Sequence, residues 1–119
     1  MEKVNLREKL ALISDHWNPR IVAELNGQTV KLVKFQGEFV WHAHAAEDEL
    51  FLVLKGSFQM DFRDRSVALN EGEFLVVPRG VEHRPVAAGE VEILLFEPAA
   101  IQHTGGVESP LTRHQFERI

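Results

Sequence analysis

The stretch GEFVWHAHAAEDELFLVLKG, residues 37–56, places two histidines one residue apart and then a glutamate at the head of an apolar run. Side chains of a β-strand alternate between its two faces, so His42 and His44 are expected to share a face. Their Cα atoms would lie roughly 6.6 Å apart, which lets two imidazoles converge on one ion. If residues 45–48 form a turn, Glu49 begins the returning strand and can face the histidines. A carboxylate beside two neutral imidazoles suits a divalent first-row metal.

Two further acids, Glu47 and Asp48, precede Glu49 directly. We interpret both as solvated turn residues, because the apolar strand that follows makes an unpaired charge costly only from Glu49 onward. A register shift of one residue would bring Asp48 to the histidines in place of Glu49.

A second stretch, GEFLVVPRGVEHRPV at residues 72–86, supplies a third imidazole. Pro78 and Gly80 indicate a turn that ends a strand, and His83 follows three residues later. Four protein ligands on an octahedral ion would leave two positions open for water or substrate. The ligand types suit Zn, Ni, Fe, Mn, Co or Cu and do not choose among these ions. The predicted metal ligands are His42, His44, Glu49 and His83.

Short apolar runs separated by turn residues dominate the chain from residue 20 to residue 97. Asn26-Gly27 is a strong hairpin signal, and EFVWHAH, ELFLVLK, VEHRPV and VEILLF read as further strands. Nothing in this range resembles a crossover helix, so the pattern favours an antiparallel sandwich or small barrel over a parallel βαβ fold. The sequence therefore predicts an all-β fold.

The first residues carry a different, helical pattern. Leu6, Leu10 and Ile13 recur at the spacing of one helix face within residues 4–14, and Asn5 stands where an N-cap is expected. Asn18-Pro19 ends this segment. We divide the single domain into an N-terminal helix or arm (1–17), a barrel (18–98) and a C-terminal arm or flexible tail (99–119).

Composition excludes several classes of protein and site. The 119 residues carry a formal net charge of −5, so no broad basic field is available and nucleic-acid binding is not expected. The absence of cysteine excludes disulfides and thiolate metal sites. No apolar run approaches the roughly 18 residues of a membrane span, and MEKVNLREKL lacks the pattern of a secretory signal. We therefore expect a cytoplasmic protein without a membrane partner.

Both histidine stretches resemble the two sequence motifs of the cupin family. In the first motif one residue fewer than usual separates the leading glycine from the first histidine; the second motif ends in an asparagine where this chain has Ala87. The positions that fit are Gly37, His42, His44, Glu49 and Gly56 in the first motif and Gly72, Pro78, Gly80 and His83 in the second. The resemblance covers residues 27–97, and residues 18–56 are also similar to small bacterial cupins of the mannose-6-phosphate isomerase-like group.

The resemblance implies an antiparallel double-stranded β-helix, or jelly roll, with a metal ion inside one mouth of the barrel. If the histidines face that interior, Phe39 and Trp41 should face outward. The next strand is apolar on both faces, because Leu50, Leu52 and Leu54 alternate with Glu49. The helix, the C-terminal arm or a second subunit has to cover this outer surface, and we expect a homodimer.

The remaining candidates have ordinary structural interpretations. Phe58, Met60 and Phe62 share a strand face and read as core, which in a small barrel can also be the wall of a ligand pocket. Arg79 and Arg84 read as solvated, with a role at the barrel mouth as the alternative, where an arginine can bind a carboxylate or phosphate. Outside the motifs lie His16, His103 and His114, which read as surface or packing residues.

Two functions fit the predicted centre. The first is a metal-dependent enzyme acting on a small oxygen-containing metabolite, either an isomerase of the mannose-6-phosphate type or a dioxygenase. The alternative is a non-catalytic protein that binds a sugar or another small metabolite, with the metal as a structural or recognition element. A sugar-phosphate isomerase needs a cationic phosphate clamp and a base, and no residue beyond the four ligands stands out as that base. Candidates for the clamp are Lys31, Lys34, Lys55, Arg79 and Arg84.

Overall fold

The computed structural model describes residues 1–99, 105–112 and 115–119. Within these ranges the chain forms one short helix and seven strands, and every pairing between strands is antiparallel. The elements are α1 (Leu6–Leu10), β1 (Arg20–Leu25), β2 (Gln28–Glu38), β3 (Glu49–Lys55), β4 (Ser57–Phe62), β5 (Ser66–Asn70), β6 (Phe74–Val77) and β7 (His83–Pro98). The predicted all-β class is confirmed. No helix in the described part of the chain has the length and apolar character to cross a membrane.

Strand β7 organises the sheet because it pairs with three other strands. The strand order is β1-β2-β7-β3-β6, and β4 pairs with both β5 and β7. The sequence pattern predicted two separate strands here, whereas the structure has one strand of 16 residues. A register shift opposite Phe35 and Gly37 absorbs the exposed residues 88–90 between the two apolar runs. His83 therefore begins the strand that also carries the buried row Val91, Ile93, Leu95 and Glu97.

The hairpin between β1 and β2 forms where the sequence predicted it. Asn26 and Gly27 both have positive φ, 51° and 77°, the combination that a two-residue turn of type I′ requires. Leu25 pairs with Gln28 across this turn. After the turn, β2 pairs with β7 over most of its length.

The core lies inside the curved sheet and follows the period of two. In β3, Glu49, Phe51 and Val53 are buried, while the intervening leucines are half-buried. Phe58 and Met60 join the same core, as predicted, and Phe62 packs against its edge. Lys31 of β2, a candidate for the phosphate clamp, is fully buried in the interior.

Helix α1 covers part of the outer face of the sheet. The Asn5 side chain accepts a hydrogen bond from the Glu8 amide at 3.0 Å, so the predicted N-cap is confirmed. The helix is shorter than the predicted residues 4–14, because the amides of Leu12 and Ile13 bond to carbonyls three residues back in a tighter turn. Its apolar side chains pack on the buried Leu32 of β2.

Residues 39–48 are irregular, in contrast to the predicted strand EFVWHAH. The only β-bridge among them joins His42 to His83. Without a continuous ladder the period of two does not hold, and the expectation that Phe39 faces outward is wrong: its ring is buried against Trp17. Trp41 is half-buried and lies under the guanidinium of Arg63, 3.9 Å from the ring centroid.

The last residues contact the first strand. The Ile21 amide donates to the Glu117 carbonyl at 2.8 Å, and the Ile119 amide donates to the Ile21 carbonyl at 3.0 Å. The Phe116 ring lies 4.1 Å from the Lys31 ammonium. The division into arm, barrel and tail stays a prediction, and His103 and His114 lie outside the described residues.

The homodimer also stays a prediction, and strand β6 offers a surface on which to test it. In the described sheet β6 pairs only with β3, and it exposes Phe74 (63%) and Val76 (46%). We expect light scattering at micromolar concentration to give about twice the chain mass of 13.5 kDa. Phe74→Asp should lower this mass. Leu12→Asp changes a residue that is 66% exposed beside α1 and should leave the mass unchanged. A mass of 13.5 kDa for the unaltered chain would show that it is a monomer.

Candidate metal centre

Four buried side chains converge inside the barrel. Each offers one ligand atom, and these atoms all lie within 4.8 Å of one another. The irregular segment 39–48 carries two of them, and the first residues of β3 and β7 carry the others. These are the four predicted ligands, His42, His44, Glu49 and His83.

Backbone hydrogen bonds hold the two histidine stretches together. The His42 amide donates to the His83 carbonyl at 3.1 Å, and the His83 amide donates back to the His42 carbonyl at 2.9 Å. The Gly80 amide donates to the His44 carbonyl at 2.8 Å. The turn at Pro78–Gly80 thus fixes the third imidazole against the first two, as the sequence interpretation required.

The alternative ligand Asp48 is held away from the centre. It is exposed, and its carboxylate accepts from the Arg79 amide at 2.8 Å and from the Arg79 guanidinium at 3.2 Å. Glu49, one residue later, is the first residue of β3 and is buried with its carboxylate toward the histidines. The register therefore places Glu49, and not Asp48, in the cluster.

A hydrogen bond at Nδ1 orients each of two imidazole rings. His42 Nδ1 lies 2.8 Å from the Val40 carbonyl, and His83 Nδ1 lies 2.9 Å from the Val81 carbonyl. A carbonyl oxygen accepts, so each Nδ1 carries the proton and each Nε2 keeps its lone pair. This is the tautomer in which a histidine binds a metal through Nε2 while a second hydrogen bond fixes the ring.

Three polar atoms in the cluster are buried without a hydrogen bond to any described residue. They are His44 Nε2, Glu49 Oε1 and His83 Nε2. Glu49 Oε1 lies 3.2 Å from His44 Nε2 and 3.8 Å from His83 Nε2. Leaving a buried polar atom unsatisfied costs about 1–3 kcal/mol, so three together need compensation. A divalent transition-metal ion fits this donor set of imidazole nitrogens and one carboxylate oxygen.

The electrostatics favour the protonation states that a metal requires. Burial, followed by the neighbouring His83, lowers the pKa of His42 to about 4, so this ring is neutral at pH 7. Burial alone would raise the pKa of Glu49, but contacts with Glu97, His44 and His83 outweigh it and hold that pKa well below its ordinary value. The centre therefore presents a carboxylate and a neutral ring at His42 before any cation binds.

A buried ion pair that the sequence reasoning missed stands beside Glu49. Lys31 Nζ lies 2.9 Å from Glu97 Oε1, and neither side chain has any exposed surface. Burial and the negative charge of Glu49 raise the pKa of Glu97 well above its ordinary value. The Lys31 ammonium and the carboxyl groups of Glu97 and Glu49 thus influence one another inside the barrel. The sign in the sequence was Glu97 itself, because it is an acid at the next odd-numbered position after the buried apolar residues of β7.

An apolar cavity leads to the cluster. Its accessible volume is small, about 20 Å³, and it reaches His42 and Glu49. Trp17, in the segment before β1, was not predicted as part of a site; its ring stacks on Phe35 and Phe39, and its Nε1 donates to the Gln36 carbonyl at 2.9 Å. The other lining residues are Trp17, Pro19, Val33, Phe35, Phe39, Phe51, Pro85 and Leu95.

The other candidates from the sequence lie elsewhere. Arg84 pairs with Asp61 at 3.0 Å and lies over Trp41, and neither it nor Arg79 lines the cavity. His16 is partly exposed and contacts Glu90 at 2.7 Å. Phe58, Met60 and Phe62 belong to the core or its edge and not to the cavity wall.

We predict that His42 titrates well below an ordinary histidine. In metal-free protein, NMR of the imidazole should give a midpoint near 4, against 6.5 for the unperturbed ring. Since the unfolded chain binds the proton more readily between these values, the stability from a neutral His42 is complete above pH 6.5 and is lost toward pH 4. The difference in unfolding free energy between wild type and His42→Asn should change by about 3 kcal/mol across this window. A midpoint near 6.5 would contradict the prediction, because it would show that the His42 ring is exposed to water.

We also predict that Lys31 and Glu97 stabilise the barrel only as a pair. Lys31→Met should lower the unfolding free energy by about 3 kcal/mol, because it leaves Glu97 buried without its cation. The double variant Lys31→Met/Glu97→Leu should recover most of that loss in urea denaturation. Arg118→Met removes an exposed pair with Glu24 and should cost less than about 1 kcal/mol. Equal costs for Lys31→Met and Arg118→Met would contradict the burial of the pair.

Comparison with known proteins agrees with this fold. The chain is similar to a crystal structure of a cupin-2 domain containing protein from Shewanella frigidimarina NCIMB 400, with 48% identity and a TM-score of 0.79 over 80% of this chain and 93% of that one. It is also similar to protein NMB1881 from Neisseria meningitidis, with 35% identity and a TM-score of 0.76 over 82% and 100% of the two chains.

A curated relative and a family model match as well. The chain is 42% identical over 64 residues to YdbB of Bacillus subtilis (strain 168), and this match covers 53% of the chain and 57% of YdbB. The match therefore spans little more than half the length of that relative. The family model described as "Cupin domain" matches residues 26–97, more than half of the 119 residues. With this match and the buried ligand cluster, the chain belongs to the cupin family.

Proposed function

We propose that the chain holds one divalent transition-metal ion on the four converging side chains and uses it to bind a small oxygen-bearing molecule. The observation that carries this proposal is the set of buried ligand atoms that no described residue satisfies, located where an apolar cavity ends. A closed structural site would be saturated by the protein, whereas four ligands leave open positions on a six-coordinate ion.

The chain's own contribution is orientation and the exclusion of water. The carbonyls of Val40 and Val81 fix two rings with Nε2 toward the centre. The apolar walls keep the surroundings of the ion dry, which strengthens every electrostatic interaction there. When bound, the ion supplies Lewis acidity or a centre for oxygen chemistry.

The residues around the cavity do not favour the sugar-phosphate isomerase considered from the sequence. Among the described residues that line it, the only titratable side chains are two of the ligands, His42 and Glu49. A base separate from the ligands is therefore missing from the wall, and so is a cation for a phosphate. This favours a function in which the metal ion itself carries the chemistry, such as that of a dioxygenase.

The same observation also supports a second candidate, a non-catalytic binding protein. A cavity without an acid or base beyond the ligands is sufficient for recognition of a small molecule. Turnover of a compound by metal-loaded protein, abolished in His42→Ala, would identify the enzyme. A compound that raises the melting temperature and is recovered unchanged would identify the binding protein.

The proposed centre is tested most directly by metal retention. Protein stripped with EDTA and reloaded with Zn, Mn, Fe, Co, Ni or Cu should retain about one ion per chain for at least one of these metals, as measured by elemental analysis after dialysis. His44→Ala and His83→Ala should each weaken retention on the order of 100-fold, because each removes a ligand. His16→Ala changes a partly exposed histidine outside the cluster and should leave retention unchanged. Retention of none of the six metals would end the proposal.

A further inference from the structure

The ligand cluster is closed off from solution in the folded protein. Its four side chains are at most 5% exposed, and the cavity that reaches His42 and Glu49 has an accessible volume of about 20 Å³. A space of this size holds about one water molecule. A larger molecule, such as a metabolite or a chelator, therefore reaches the ligand atoms only after part of the surrounding chain moves.

Residues 105–112, which we call the strap, contact the backbone between two of the ligands. A Cβ atom on Gly105 would overlap the carbonyl oxygen of Ala43 and would lie 3.1 Å from its carbonyl carbon. Ala43 is the residue that separates His42 from His44 in the chain. The strap thus lies directly against the segment that carries these two histidines, and only a glycine fits at this contact.

A side chain near the other end of the strap packs against the barrel interior. Leu111 is half-buried and contacts the core cluster that includes Phe39 and supplies most of the cavity wall. Residues 106–108, between this contact and Gly105, are exposed. The strap therefore joins the ligand segment to the apolar residues that enclose the site.

Hydrogen bonds within the strap give it a structure of its own. The Thr112 amide donates to the Ser109 carbonyl at 3.0 Å, and the Ser109 amide donates to the Thr112 hydroxyl at 3.1 Å. The Thr112 hydroxyl donates to the Val107 carbonyl at 3.0 Å. Because these bonds join residues of the strap to one another, they stay in place when the strap moves away from the barrel.

Backbone hydrogen bonds hold the other parts of the enclosure. Strands β2, β3 and β7 belong to one sheet, and the His42 amide is bonded to the His83 carbonyl. The Trp17 amide donates to the Lys34 carbonyl at 2.9 Å. Local opening of a protein occurs most readily in segments outside such ladders. The strap is therefore the part of the enclosure that we expect to move.

We propose that the strap acts as a lid, which opens to admit molecules from solution to the four clustered side chains and closes over them afterwards. This inference goes beyond the proposed function. It concerns access to the cluster and does not depend on which ion or ligand the cluster holds.

The test measures how fast diethyl pyrocarbonate, a reagent larger than water, acylates individual histidines of the metal-free protein. Peptide mass spectrometry gives the rate at each ring. His44 is the reporter, because it is buried and its Nε2 has no hydrogen bond to a described residue. His16 is partly exposed and serves as the reference. We expect His44 of the unaltered chain to react about 100-fold more slowly than His16, the ratio for an open state populated at about 1%.

Two neighbouring glycines separate the contact with Ala43 from backbone strain. Gly105→Ala and Gly106→Ala both place a side chain at a positive φ, 62° and 86°. A Cβ atom at position 106 meets no atom within 4 Å, whereas one at position 105 meets Ala43. We expect His44 to react about 10-fold faster in Gly105→Ala than in Gly106→Ala, the ratio for about 1.4 kcal/mol lost from the closed state. The rate at His16 should stay unchanged.

A second pair of variants decides the outcome if Gly105→Ala does not fold, which circular dichroism would show. Leu111→Ser removes the apolar contact with the core and should also raise the His44 rate about 10-fold. Val107→Ser changes a residue of the strap that is 43% exposed and should leave the rate unchanged. Hydrogen exchange at the fully buried Ile93 of β7 should be the same in all folded variants, because opening of the strap is local.

Three results would overturn the inference. The first is a His44 that reacts as fast as His16 in the unaltered chain. The second is an equal His44 rate in folded Gly105→Ala and Gly106→Ala or, where Gly105→Ala does not fold, in Leu111→Ser and Val107→Ser. The third is faster exchange at Ile93 in step with the His44 rate, which would indicate global unfolding. Failure to retain any of the six metals would end the proposed metal centre and would leave this result unaffected.

Discussion

The structure depends on a reciprocal pair of backbone hydrogen bonds between His42 and His83. These two bonds form a single bridge in a segment that otherwise has no ladder. They set the distance between two stretches of chain about forty residues apart. The local backbone then determines where the side chains of His42 and His83 lie. Hydrogen bonds from Gly80 to His44 and from Arg79 to Asp48 hold the rest of segment 39–48, but only this bridge joins His42 directly to His83.

The charged groups inside the barrel compensate one another. An apolar core can hold Lys31, Glu97 and Glu49 only if their charges compensate, since each alone would be expensive to bury. Lys31 pairs with Glu97, and burial together with the neighbouring Glu49 raises the pKa of Glu97. The carboxylate of Glu49 is then left facing the histidines. Lys31 and Glu97 thus lie behind the ligand cluster and support it without belonging to it.

Much of the site could be predicted from the sequence because its signals are local. The spacing of His42, His44 and Glu49 depends only on a short turn, and the turn before His83 is fixed by Pro78 and Gly80. The Asn26-Gly27 hairpin and the Asn5 cap are equally local, and both are present. The antiparallel all-β class follows from the many short strands and turns that these signals delimit.

The parts that could not be predicted depend on contacts distant in sequence. The Lys31–Glu97 pair joins residues 66 positions apart, and nothing near Lys31 distinguishes it from a solvent-facing strand lysine. Phe39 was assigned to the wrong face because the alternation rule presumes a paired strand, which residues 39–48 do not form. Trp17 carries no local sign of a role, since only the folded chain shows that it reaches Phe35 and Phe39.

The position of Trp17 has a consequence for how such a scaffold diversifies. The family model matches residues 26–97, which contain all four ligands, whereas Trp17 and Pro19 of the cavity wall precede that region. The four candidate ligands and part of the cavity wall thus lie in separate pieces of the chain. Exchange of the leading segment would alter the cavity wall and leave the four candidate ligands in place.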